Sequence, residues 1–98
     1  MKLRILTEAQ QELEAGVDHY NTDCPGLGYE FADEVYLTIN RIMDSPEAWH
    51  PLSAKTRRCL THRFPYAVIY QQRPDCLLIV SVMHLHRHPD TWKGRTEE

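Results

Sequence analysis

Leu77-Leu78-Ile79-Val80-Ser81-Val82-Met83, running on into His84-Leu85-His86-Arg87-His88-Pro89-Asp90-Thr91-Trp92, is the stretch on which the fold turns. Its first part is an alternating, strand-like apolar run. Its second part is a polar, basic rim. Histidines, an arginine and an indole gathered where a strand leaves a sheet offer donors, positive charge and a stacking face, the material of a site for an anionic partner.

Working back from that strand, which spans residues 76 to 85, the turn at Arg73-Pro74-Asp75 separates it from a second strand over 66 to 72. A tight connection at Arg63-Phe64-Pro65-Tyr66 leads back to another over 57 to 63. The two connections are short, so the three strands are expected to be antiparallel neighbours. Upstream of the linker Pro46 to Pro51 the period changes. Leu27, Phe31, Val35, Ile39 and Ile42 recur every three or four residues until Ser45-Pro46 stops the helix, and Asp23-Cys24-Pro25-Gly26 is turn chemistry. Before it, Ala9, Leu13, Val17 and Tyr20 share one helical face, with Glu8, Glu12 and Glu14 away from it. Thr7 and Gln10 make a capping box, and the helix should end near Asn21. Leu3 and Ile5 alternate with Lys2 and Arg4 as a short opening strand. The order β-α-α-β-β-β predicts an α+β fold, with an N-terminal helical hairpin packed on one face of a small, mainly antiparallel sheet whose other face or rim stays open.

Charge divides along the chain. Residues 1 to 49 carry three bases against ten acids, and residues 50 to 98 carry eight bases against four acids and five of the six histidines, so the net −3 conceals a polar molecule. Such asymmetry marks one face for a nucleic acid or acidic partner and another for a basic one, or it reflects two solvated faces that differ. With 98 residues the chain is expected to form one domain, residues 1 to 98. Cys24, Cys59 and Cys76 are an odd number with no close pair, and no secretory apolar segment opens the chain. These features predict reduced structural thiols in a cytoplasmic protein. No apolar run approaches the roughly 20 residues of a membrane helix.

Each candidate side chain has two readings. His84, His86 and His88 at period two would form a metal-binding comb on a continuing strand, yet Pro89 should break that strand and no fourth ligand stands at an obvious spacing, so no metal or cofactor is expected. Trp92 either lids the core edge or meets a target. Arg57 and Arg58 point to opposite faces of a strand, so at most one lines a site. Tyr66 and Tyr70 share a face, where packing is the simpler role.

The element order, together with Ala9…Leu13…Ala15…Tyr20, Pro25-Gly26-Leu27-Gly28, Phe31…Glu34-Val35, Arg57-Arg58, Phe64-Pro65-Tyr66-Ala67-Val68-Ile69-Tyr70 and His84…Arg87…Pro89…Trp92, resembles the RelE/ParE toxin superfamily over nearly the whole chain. The resemblance implies a toxin of a type II toxin-antitoxin module, of the kind that includes plasmid stabilisation proteins. A cognate antitoxin would wrap and neutralise it in a hetero-oligomer.

The superfamily divides by target. The RelE-like branch implies a metal-independent, ribosome-dependent mRNA endoribonuclease, in which basic residues orient the RNA and stabilise charge on the scissile phosphate. The ParE-like branch implies inhibition of DNA gyrase. In the RNA-cleaving pattern an arginine follows the tyrosine that opens the middle strand, whereas here Ala67 follows Tyr66. The paired lysines of the preceding segment are reduced to Lys55. A placed donor of that kind is worth about 3 kcal/mol to such a reaction, so its loss favours the gyrase reading. The catalytic candidates, if RNA is cleaved, are Arg58, Arg63, His84 and Arg87, with histidine able to carry a proton near neutral pH. The expected target- or antitoxin-binding set is Arg58, Arg63, Tyr66, His84, His86, Arg87, Trp92 and Arg95. A ribonuclease and a non-toxic interaction module remain the alternatives.

Overall fold

The computed structural model describes residues 2–86 and 90–96. In chain order the elements are β1 (Lys2–Ile5), α1 (Thr7–Asp23), α2 (Leu27–Asp44), β2 (His50–Pro51), β3 (Thr56–Leu60), β4 (Tyr66–Gln72) and β5 (Cys76–His84). One sheet runs in the order β1-β5-β4-β3-β2, with β1 parallel to β5 and the other pairings antiparallel. This is the expected α+β arrangement. It adds the two-residue β2, which the Pro46-to-Pro51 linker concealed because a proline-flanked pair has no period to read.

The hairpin forms where apolar spacing and turn chemistry place it, but its caps differ from expectation. Leu6 is the N-cap of α1 and no side chain caps it. Thr7 is already helical, and the Gln10 amide donates to Glu14 at 3.4 Å instead of closing a box. The helix continues to Asp23, because Asn21 is used to join the helices rather than to stop one. Its Oδ1 accepts from the Gly26 N–H at 3.1 Å and the Gly28 N–H at 2.8 Å. Gly26, at φ +90°, makes the left-handed step into α2 that a side chain would resist. Gly28 lies so close to the Val17 carbonyl that no Cβ fits.

The first face of the sheet packs on the hairpin. Ala9, Leu13, Phe31, Val35, Ile39 and Ile42 meet Val68, Tyr70, Leu77, Ile79 and Val82 in one apolar cluster. A fully buried phenylalanine such as Phe31 contributes about 2–3 kcal/mol by apolar burial, and its ring also stands 5.2 Å from Tyr20, 5.3 Å from Phe64 and 4.6 Å from Tyr66. Gly16 makes room for it, since a Cβ there would meet the Phe31 ring at 2.5 Å.

The second face is covered, contrary to the expectation of an open one. Ala67, Ile69, Cys76, Leu78, Val80 and Met83 form a second cluster on which Leu6, Leu52, Leu85 and Trp92 pack. The physical reason is plain: β4 and β5 are apolar on both faces, and the segment after β5 folds back over the face the helices leave bare. Trp92 is therefore a lid on this face.

β5 carries an irregularity that sets the geometry of everything beyond it. Ile69 stands opposite Ser81 and Tyr70 opposite Ile79, so Val80 is an extra residue. Leu77 and Ile79 face the helices and Leu78 and Val80 face away, but past the bulge it is Val82 that faces the helices and Met83 that faces away. A one-residue bulge reverses the alternation. β1 accompanies β5 only as far as Ile79. Past that point Glu12 and Arg95 serve the open edge. Glu12 Oε1 accepts from the Ser81 hydroxyl at 2.9 Å and the Val82 N–H at 3.1 Å, and Arg95 donates to the Val80 carbonyl at 3.1 Å.

Candidate functional site

The residues expected to share one rim are divided by the bulge between two faces. On the helix side, Tyr66 pairs with His84 across β4 and β5, their rings edge-to-face at 5.0 Å and 77°. The His86 N–H donates to His84 Nδ1 at 3.1 Å, an arrangement that holds the imidazole as the tautomer with its proton on Nε2. The His84 and His86 rings lie 5.9 Å apart. Beneath them is a shallow hollow of about 210 Å³ whose lining includes Gly16, His19, Tyr66 and His84. The aromatic cluster around Phe31 backs Tyr66, so the His84 ring rests on a rigid wall.

On the opposite face, Arg58 lines a larger cavity of about 550 Å³ with Leu52, Met83, Leu85, Trp92 and Lys93. The alternation of β3 decides which arginine reaches it. Cys59 faces the hairpin, so Arg57 does too, and it donates to the Trp49 carbonyl at 2.8 Å. Arg58 is left on the cavity side, where it makes no hydrogen bond or ion pair among the described residues. Lys93 lies 3.3 Å from Asp90, an exposed pair worth little in water. An apolar floor with an indole and an unengaged guanidinium can bind an anionic group beside an apolar or aromatic one.

The remaining candidates are placed elsewhere. Arg63 meets Glu30 at 2.9 Å at the start of α2, with both side chains exposed. Arg95 is not on the rim: it makes a two-pronged pair with Glu12 at 2.7 and 3.1 Å. Arg87 and His88 lie outside the described residues, and with them the third tooth of the histidine comb. Among the described residues no group of three or more His, Cys, Asp or Glu is placed to hold a metal ion. Cys24, Cys59 and Cys76 are free thiols, the last two buried, and burial pushes the Cys59 thiol up against the opposing pull of Arg41.

Two participants escape a sequence reading. Glu12 looks like one more solvated acid of α1, although its place between Ala9 and Gly16 puts it at the border of the buried face. Leu52 sits in what reads as a linker.

No family model matches the sequence, and no curated protein matches it. Among solved structures, a chain of the chromosomal ParDE TA system from P. aeruginosa superimposes with a TM-score of 0.75. The match covers 86% of this chain and 95% of that one at 15% identity. The two share a fold. Ala67, which follows Tyr66, is fully buried in the second-face cluster under the Leu85 and Trp92 lid. A cation there would be buried among apolar side chains. Among the described residues, no helix is long and apolar enough to cross a membrane.

Proposed function

We propose that this chain is the toxin component of a type II toxin-antitoxin module, neutralised by a cognate antitoxin protein, and that it acts by binding DNA gyrase. The observation that carries the proposal is the fold it shares, across most of both chains, with a member of a ParDE toxin-antitoxin system. The choice of gyrase over ribosome-bound mRNA rests on Ala67. Its buried methyl group stands where the RNA-cleaving pattern carries an arginine, and Arg58, unengaged among the described residues on that face, lies on the neighbouring strand. The action is then protein-to-protein binding and needs no cofactor.

The antitoxin has a surface to cover. Tyr29, Tyr36 and Leu37 stand exposed on α2, with Leu37 57% and Tyr29 67% accessible. Leu37 precedes Arg41 by one turn, and Arg41 reaches the Leu60 carbonyl at 3.1 Å, so the exposed Leu60 borders the same seam. An amphipathic antitoxin segment laid along α2 buries this stripe and can offer an acid to Arg63, which stands beside Glu30 at the start of that helix.

The test is induction of the protein alone, with growth, plasmid supercoiling and mRNA integrity followed together, and then co-expression with the small gene encoded beside it. Growth arrest with lost supercoiling and intact mRNA, relieved by the neighbour, is the expected result. Codon-specific cuts in mRNA with normal supercoiling would replace gyrase by the ribosome as the target. Harmless induction with no binding neighbour would overturn the toxin reading and leave a non-toxic interaction module.

A further inference from the structure

We infer that the cavity at the Gln72 end of the sheet's second face, away from His84 and Trp92, is a binding site for a compact polyphosphate group. It has a volume of about 650 Å³, with Arg4 from β1, Lys55 from the loop before β3 and Arg73 from the β4–β5 turn around Gln71, Leu78 and Thr96. Three cations from three separate elements surround one hollow, and among the described residues no carboxylate lines it. A fourth, Arg95, is neutralised by Glu12. Asp75 belongs to the same turn as Arg73 but does not line the cavity.

One of these cations is oriented by a built network. Gln71 is only 3% exposed, and its Nε2 donates to Thr56 Oγ1 at 3.1 Å and Thr96 Oγ1 at 2.9 Å. That leaves Oε1 to accept from Arg73 Nε at 3.3 Å and Nη2 at 3.0 Å. A neutral acceptor thus orients the guanidinium without discharging it. Arg4 and Lys55 make no hydrogen bond or ion pair among the described residues.

The chemistry of the ligand follows from charge density and from what the lining lacks. Two or three linked phosphates place three or four negative charges in a small volume, matching three converging cations and the forked donors of arginine. An acidic peptide spreads one carboxylate per residue along an extended chain. Among the described residues the cavity has no aromatic side chain, so it reads phosphates and not a base. Its size lies within the usual range for small-molecule sites and exceeds what one phosphate fills. The phosphates can belong to a free oligophosphate or nucleotide, or to consecutive positions of a nucleic acid strand. The inference stands independently of the toxin proposal.

Calorimetric titration of the full chain with tripolyphosphate, ATP and a single-stranded RNA dodecamer, at physiological ionic strength, tests it. Saturable 1:1 binding of tripolyphosphate is expected, with NMR shifts at the Gln71 side-chain amide and Arg73 Nε. Arg4→Gln and Lys55→Gln should each weaken binding about tenfold, as loss of one charge-assisted contact does. Both side chains are exposed, and retained thermal midpoints would show that folding is unaffected. Arg63→Gln removes the same charge from the opposite end of β4 and should leave the affinity unchanged. ATP binding as tightly as tripolyphosphate would assign a free ligand, and a much tighter RNA would assign a strand. The inference is overturned if no probe saturates, if Arg63→Gln weakens binding as much as the others, or if only a poly-glutamate peptide binds. It is equally overturned if binding appears only in Glu97→Gln/Glu98→Gln, since the chain's own acids would then be the occupant.

Discussion

The Glu12–Arg95 pair is the most informative single target for mutation, because it joins three parts of the molecule: α1, the bulge of β5 and the C-terminal segment. Its side chains are only 15% exposed for Arg95 and 24% for Glu12, so solvent screens it weakly. In Glu12→Gln the amide oxygen still accepts from Ser81 and Val82, while the charge in the two contacts to Arg95 is lost. The cost should be about 2 kcal/mol, the scale of a charge-assisted contact. Glu12→Leu also strands the Val82 N–H, the Ser81 hydroxyl and the Arg95 charge, and should cost about 3–5 kcal/mol. Arg95→Met leaves Glu12 two donors and should cost about 2–3 kcal/mol. In a domain of this size about 2 kcal/mol lowers the thermal midpoint by roughly 10 °C. Urea unfolding of the single and double variants gives the coupling, expected near 2 kcal/mol. In a Trp49→Phe background Trp92 fluorescence supplies a local signal, shifting to the red in Arg95→Met as the segment lifts while the far-ultraviolet circular dichroism stays native. Single-variant costs below about 0.5 kcal/mol with no coupling would refute the reasoning, since each single variant leaves a partly buried charge without its partner.

Three further predictions are independent of that pair. Gly28→Ala drives a methyl group against the Val17 carbonyl and should cost about 3 kcal/mol, measured by urea unfolding, with Gly26→Ala failing through backbone strain and not through contact. Burial pushes the Tyr70 hydroxyl up to about 12, against the opposing pull of Arg57, while it donates to the Pro46 carbonyl. An unfolded tyrosine ionises near 10, so the contribution is complete below pH 10 and is lost as pH rises towards 12, by up to about 3 kcal/mol. Tyr70→Phe should flatten that alkaline slope in pH-dependent urea melts. Arg58→Ala should reduce growth arrest and gyrase inhibition about tenfold or more with an unchanged thermal midpoint, since its guanidinium supports no other described group; full toxicity in the variant would move the target site off this face.

The sequence by itself determined both helices, four of the five strands and their order. Leu27, Phe31, Val35, Ile39 and Ile42 must form one face of a helix because their spacing admits no other burial, and Pro25-Gly26 and Ser45-Pro46 bound it locally. The strands read over 66 to 72 and 76 to 85, the last ending at His84 in the structure, follow equally from local period and turn residues, and so does the antiparallel hairpin between them. The choice between Arg57 and Arg58 was half legible: alternation required that they part, but only the packing of Cys59 against the hairpin assigned Arg58 to the cavity side. Tertiary structure alone decided the site. Nothing in Val80-Ser81 announces a bulge, because a bulge is a mismatch between partners and not a property of one strand. That extra residue turns His84 to the helices and Met83 to the far face, parting His84 from Trp92, which the chain places only eight positions apart. Glu12 and Arg95 are 83 residues apart in the chain. They meet because the unpaired edge beyond Ile79 needs an acceptor and a donor, and long-range requirements of that kind leave no mark on local pattern.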